Sequence, residues 1–138
     1  MLSNLGIITI ILTLLISFWL VYNSTILLRS DNSLISKKII NLSSLQLFFS
    51  ILCFLLLVYG YISSNFSLIN VFQNSHSSKP LFFKIAGTWG NHEGSLLLWI
   101  NILIIFSYFF LIKGKNYNNN FRLVTLIIQN FLIIGFLL

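Results

Sequence analysis

Apolar residues run along this chain in long unbroken stretches rather than at alternating positions. The first stretch extends from Leu5 to about Leu28, the second from about Leu42 to Ile62, the third from Leu96 to Ile112, and the fourth from near Leu123 to Leu138. A helix rises about 1.5 Å per residue, so roughly 20 residues cross a hydrocarbon core. Strands of a membrane barrel alternate polar and apolar residues. Ile7–Leu15 and Leu52–Val58 do not alternate, so the pattern predicts an all-α polytopic membrane protein with about four transmembrane helices. The expected spans are 5–28, 42–62, 95–112 and 122–138 in a single membrane domain over 1–138, with one long loop at about 63–94. The fourth stretch holds only about 16 residues before the chain stops, and its helix is expected to be truncated or completed against a partner.

Composition sharpens this picture. Of 138 residues, 57% are hydrophobic and 7% charged, against about 25% charged in soluble domains. So few charges could not solvate a small globule, which excludes a soluble enzyme, a disordered tail and a disulfide scaffold. The net charge is +6, from eight Lys and Arg against Asp31 and Glu93. The basic residues sit between the apolar runs, which is the pattern of topology signals rather than of nucleic-acid binding. Arg29, Lys37 and Lys38 fall in the first loop, and Lys113, Lys115 and Arg122 in or beside the third. The long second loop has only Lys79 and Lys84. The excess of positive charge therefore predicts a cytoplasmic or matrix side for the first and third loops, with the N-terminus and second loop outside. No basic signal-peptide region or Arg-rich transit peptide precedes the first span.

Polar residues within the spans need partners. Thr9, Thr13 and Ser17 recur every four residues, so they share one helix face and form a seam for close helix packing. Thr125 and Gln129 share a face of the fourth span, with Asn130 beside them, and Asn101 lies in the third. No Asp, Glu, Lys or Arg lies deep in a span, which argues against a proton relay, ion pump or voltage sensor in this chain. Broken, paired half-helices of a transporter are not seen. Cys53, the single cysteine, reads as a small apolar packing residue.

Chemistry concentrates in the second loop. It holds the single Pro, both histidines, Trp89 and Glu93, with Trp99 just beyond. His92-Glu93-Gly94-Ser95-Leu96 is not a zinc-protease motif, because Leu96 stands where the second His is required. His76 and His92, without a third ligand, make a poor metal site, so no metal ligands and no catalytic residues are assigned. Asn91 is placed to cap the third span, with Glu93 in its first turn near the positive end of the helix dipole. On this local reading Trp89 is an interfacial anchor and the motif is structural.

Lys79-Pro80, Lys84-Ile85 and Gly87-Thr88-Trp89-Gly90-Asn91-His92-Glu93-Gly94-Ser95-Leu96-Leu97-Leu98-Trp99 closely resemble the N-terminal region of CcmF, the haem lyase subunit of the multi-component cytochrome c maturation system. The resemblance implies a cytochrome c-type biogenesis protein, in which haem from a haem chaperone is presented to the CxxCH thiols of apocytochrome c. It also implies a Trp-rich WWD segment with flanking histidines that hold the substrate haem. That segment is missing here, since Trp19, Trp89 and Trp99 are scattered. The haem ligands are therefore expected on another chain and no cofactor on this one. Trp89, Gly90, Asn91, His92, Glu93 and Gly94 are assigned to a scaffold beside the haem chamber. The expected partners are a WWD-bearing CcmF fragment, the haem chaperone and apocytochrome c. The expected place is the mitochondrial inner membrane, or alternatively the bacterial inner membrane. Either the gene is split or the chain is a partial product. The alternative function is a non-catalytic accessory subunit of a respiratory complex.

On this reading, the isolated chain mixed with haem gives no stable Soret band of bis-histidine character. A band abolished by His76→Ala or His92→Ala overturns the assignment.

Overall fold

The computed structural model describes residues 2–30 and 35–138. Asp31 lies outside the described residues. Six helices follow in order: α1 (Leu2–Arg29), α2 (Lys37–Ile62), α3 (Ile69–Asn74), α4 (Leu81–Gly87), α5 (His92–Lys113) and α6 (Asn119–Leu137). There is no strand among the described residues. Helices α1, α2, α5 and α6 are long and apolar enough to cross a membrane, and the protein is an all-α integral membrane protein. The shortest, α6, has 19 residues, a length of about 28 Å at the helical rise.

The helices begin earlier than the apolar runs. Ser36 caps α2, its hydroxyl accepting from the Ile39 amide, so Lys37 and Lys38 occupy the first helical turn rather than the loop. Lys38 then lies 5.5 Å from the Trp19 ring centroid on α1, a cation–π contact between neighbouring spans. Helix capping uses polar residues, which hydropathy counts against a span; hence the offset of about a turn.

Helix α1 packs on α2 and α6, and α5 packs on the same two, so α1 stands across from α5 and α2 across from α6. Short connections join α1 to α2 and α5 to α6 at one end of the bundle, called here the hairpin end. The 63–91 segment, with α3 and α4, lies at the other, the cap end. Six of the eight basic residues (Arg29, Lys37, Lys38, Lys113, Lys115 and Arg122) gather at the hairpin end.

Near the hairpin end the core is filled by Ile16, Leu20, Ile39, Leu111, Leu123 and Leu126. Arg122 is buried in the first turn of α6, and its guanidinium donates to the Leu111 carbonyl in the last turn of α5 and to Asn119 Oδ1 at 3.1 Å. A cation placed there neutralises the negative end of the α5 dipole and satisfies a terminal carbonyl. Arg122 is thus a bridge between α5 and α6 rather than a freely solvated charge.

At mid-bundle the packing is polar. Gln46 on α2 is buried and donates both amide hydrogens, to Ser17 Oγ on α1 at 2.7 Å and to Asn130 Oδ1 on α6 at 2.8 Å. Ser17 can accept because its own hydrogen goes to the Thr13 carbonyl at 2.8 Å. Thr13 and Thr9 bond backward likewise, to the carbonyls of Thr9 and Gly6, and all three side chains are buried. The seam expected on α1 is therefore real, and its hydroxyls are satisfied within the helix. At this level of α6 the buried polar residue is Asn130. Thr125, expected on the contact face with Gln129, is only half-buried and bonds back to the Phe121 carbonyl.

Two-helix polar contacts in membranes contribute about 0.6–1.7 kcal/mol each. Gln46→Leu removes two of them and leaves Asn130 Oδ1 without a donor, so a loss of about 1–2 kcal/mol is expected. The measurement is thermal unfolding of the purified chain in mild detergent. A Gln46→Leu/Asn130→Leu double variant should cost less than the sum of the two single ones, because the pair shares one bond.

Candidate functional site

The cap end is built on a closed hydrogen-bond ring. Asn91 stands immediately before α5 in an extended conformation, and its Oδ1 accepts from the Gly94 amide at 2.7 Å. This is the N-cap expected from the sequence. The same Oδ1 accepts from Asn70 Nδ2 on α3 at 3.1 Å. Asn91 Nδ2 donates to Tyr61 Oη at 2.7 Å and to the Gly87 carbonyl at 3.1 Å. Tyr61 Oη in turn donates to Asn70 Oδ1 at 2.6 Å. Asn70 Nδ2 also donates to Glu93 Oε2. One asparagine thereby joins the last turn of α2, the first turn of α3, the end of α4 and the start of α5. Tyr61 is fully buried, so its hydroxyl depends on these partners.

Glycines let these elements approach. A Cβ on Gly94 would lie 1.7 Å from the Thr88 carbonyl oxygen, a backbone atom that cannot yield. A Cβ on Gly87 would stand 3.3 Å from Tyr61 Cε1. Thr88 is fully buried between them. Gly94 is therefore required by close backbone contact, a constraint that spacing in the sequence does not reveal.

The six residues expected to form the scaffold divide into two groups. Asn91, Glu93 and Gly94 hold the ring and the start of α5, although the Glu93 carboxylate is itself exposed. Trp89, Gly90 and His92 are exposed and make no side-chain hydrogen bond that ties the fold. Two residues of the ring, Tyr61 and Asn70, were not singled out in the sequence. Their only signal was a tyrosine at the edge of an apolar run and an asparagine inside the short apolar stretch 68–72.

Below the ring the bundle opens into a cavity of about 560 Å³. Its wall is made by Gly6, Ile10, Cys53, Leu57, Leu97 and Phe136, with Ile100 toward the floor and Asn70 and Glu93 at the polar edge. Ile100 packs with Ile104 and Ile133 beneath. Cys53 is buried, as expected of a small packing residue. The cavity lining contains no histidine, and no group of three His, Cys, Asp or Glu gathers among the described residues. His76 and His92 are exposed and lie outside the lining. The residues that line this cavity accordingly do not suit axial ligation of a haem iron by imidazole.

No family model matches the chain, and no solved structure does. It is similar to the cytochrome c-type biogenesis protein CycK of Rhizobium meliloti, 43% identical over 94 residues that cover 63% of this chain and 14% of CycK. It is also similar to the cytochrome c-type biogenesis protein CcmF of Escherichia coli, 33% identical over 85 residues, 62% of this chain and 13% of that protein. A probable cytochrome c biosynthesis protein of Daucus carota is 37% identical over 70 residues, covering 51% of this chain and 12% of the relative. The chain is thus a homologue of cytochrome c-type biogenesis proteins, and it spans about one seventh of the length of the curated relatives it matches.

Asn91→Ala removes the cap of α5 and the donors to Tyr61 and Gly87, and is expected to cost about 1–2 kcal/mol. Hydrogen exchange on the detergent-solubilised chain should accelerate over residues 69–95 while the hairpin end keeps its protection. Gly94→Ala should loosen the same segment.

Proposed function

We propose that this chain is the N-terminal scaffold part of a membrane haem lyase that attaches haem covalently to apocytochrome c. The observation that carries the reading is homology, at up to 43% identity among the relatives described above, to proteins named for cytochrome c-type biogenesis. The architecture supports it. A rigid four-helix unit holds the Trp89–Gly94 motif at one end, with its backbone locked by Asn91 and Gly94 and with Trp89 and His92 left exposed for a neighbour.

On this reading the haem ligands belong to a partner polypeptide that bears the WWD segment. An apolar cavity wall without an imidazole supports a chain that shapes the chamber, with the iron ligands on the partner. Haem, when bound in the complex, supplies the vinyl groups to which the cytochrome thiols add. The haem chaperone and apocytochrome c are the other partners, and the cap end faces them. Six of the eight basic residues lie at the opposite, hairpin end, which supports a cap end facing the intermembrane space of a mitochondrion or, alternatively, a periplasm.

The test is affinity purification of the tagged chain from its native membrane in mild detergent, with co-purifying proteins identified by mass spectrometry. A WWD-bearing polypeptide or a haem chaperone is the expected companion. Recovery with respiratory-complex subunits alone overturns the reading in favour of an accessory subunit. Trp89→Ala and His92→Ala should keep the chain folded and reduce covalent haem on cytochrome c about tenfold, the loss typical of an anchor residue at an interface. The readout is haem staining of c-type cytochromes in the native membrane.

A further inference from the structure

Helices α3 and α4 expose a dense apolar surface. Ile69 and Phe72 on α3 are 74% and 70% exposed, and Phe82 on α4 is 76% exposed, with Leu81 and Phe83 beside it. Scattered apolar residues on a surface need no explanation, but five large ones on two short helices do. They are not loosely held. Val71 on α3 is fully buried, and Leu68 just before it reaches Gly60 in the last turn of α2. Gly87 on α4 abuts Tyr61, and Lys84 Nζ donates to Ser64 Oγ at 2.6 Å, two residues past α2. Each short helix is therefore pinned by one side to the end of a membrane span, while its other side is left bare.

That attachment sets the depth. Gly60 and Tyr61 lie in the last turn of α2, Ser64 lies just past it, and Asn91 caps α5; both helices are long and apolar enough to cross a membrane. Their contacts hold both short helices beside the ends of spans, the zone where acyl chains give way to headgroups. The charge matches that setting. The segment from Ser63 to Asn91 carries Lys79 and Lys84 and no acidic residue. Lys79 stands directly before Pro80 and the Leu81-Phe82-Phe83 cluster.

We infer that α3 and α4 are interfacial helices whose Ile69, Phe72, Leu81, Phe82 and Phe83 side chains enter the phospholipid layer that the four spans cross, with Lys79 and Lys84 among anionic headgroups. The surface is a lipid-docking face that holds the Asn91 ring level with the membrane. This assignment is independent of the haem lyase reading, since it rests on depth, exposure and charge alone.

The experiment uses the full chain reconstituted in phosphatidylcholine vesicles with and without phosphatidylglycerol. In a Cys53→Ser background, a polarity-sensitive fluorophore is attached at Phe82→Cys, at Phe72→Cys, and at Ser77→Cys as the aqueous control. Spin-labelled lipids should quench positions 82 and 72 about threefold more than position 77, most strongly when the label lies near the headgroup, and aqueous iodide should show the reverse order. Phosphatidylglycerol should raise the lipid quenching. Iodide quenching at 82 and 72 equal to that at 77 overturns the proposal and leaves the face for a protein partner. Should a cysteine variant misfold, hydroxyl-radical footprinting of the unaltered chain in lipid nanodiscs decides the matter. Phe72, Phe82 and Phe83 are expected to be protected and His76 modified, and oxidation of all four overturns the assignment.

Discussion

A side-chain amide in hydrocarbon has no water to turn to, and Gln46 is such an amide. Its two N–H groups must be given acceptors by the protein, and the bundle gives them on two different helices, Ser17 on α1 and Asn130 on α6. Apolar packing alone would not set the relation of these spans, because lipid chains contact Leu and Ile as well as another helix does. The small, internally satisfied seam of Thr9, Thr13 and Ser17 lets α2 come close, and the amide then fixes register among three helices. Toward the hairpin end the core closes on aliphatic side chains, and Arg122 ties α5 to α6. Toward the cap end it opens into a cavity. Between the node and the cavity lies a second, smaller aliphatic cluster of Ile100, Ile104 and Ile133.

The cap end solves the same problem by a different device. Here four elements meet, and each brings backbone groups at helix ends that need partners. Asn91 has two donors and an acceptor with two lone pairs, and the structure uses all of that capacity on α5, α3, α4 and Tyr61. Gly94 and Gly87 allow the close approach that those bonds demand. A motif that reads as chemistry, with His and Glu side by side, is therefore half structural. Its exposed side chains, Trp89 and His92, are carried on a frame that the neighbouring residues lock.

How much of this was legible can be argued residue by residue. The four long helices were, because runs of apolar residues have one physical meaning when charges are so scarce. Asn91 as a cap was, because capping is local and depends on residues three apart. The seam on α1 was, because a four-residue period defines a face without reference to any partner. Gln46 was not, since a lone polar residue in a long run carries no sign of which helices it will meet. Thr125 and Gln129 were placed on one face with Asn130 beside them, and which of the three enters the core, Asn130, depends on tertiary packing that the sequence does not show. Helices α3 and α4 were read as loop, because six or seven residues are too few to show a period. Tyr61 and Asn70 joined the site only through a fold that brings positions 61, 70 and 91 together.

The two polar nodes also explain why a chain with almost no charge can present a defined surface. A bundle held by apolar contacts alone could slide and rotate in lipid at small cost. Gln46 suppresses that motion at mid-depth, and Asn91 suppresses it at the cap. Between them lies the cavity wall of α1, α2, α5 and α6, with Asn70 and Glu93 at its polar edge. Beside it, Trp89 and His92 stand on a backbone that is pinned on both sides, by the Gly87 and Thr88 carbonyls before and by the α5 cap after. Exposed side chains on a rigid backbone lose little entropy when a neighbour engages them, and that is the physical condition for a docking edge.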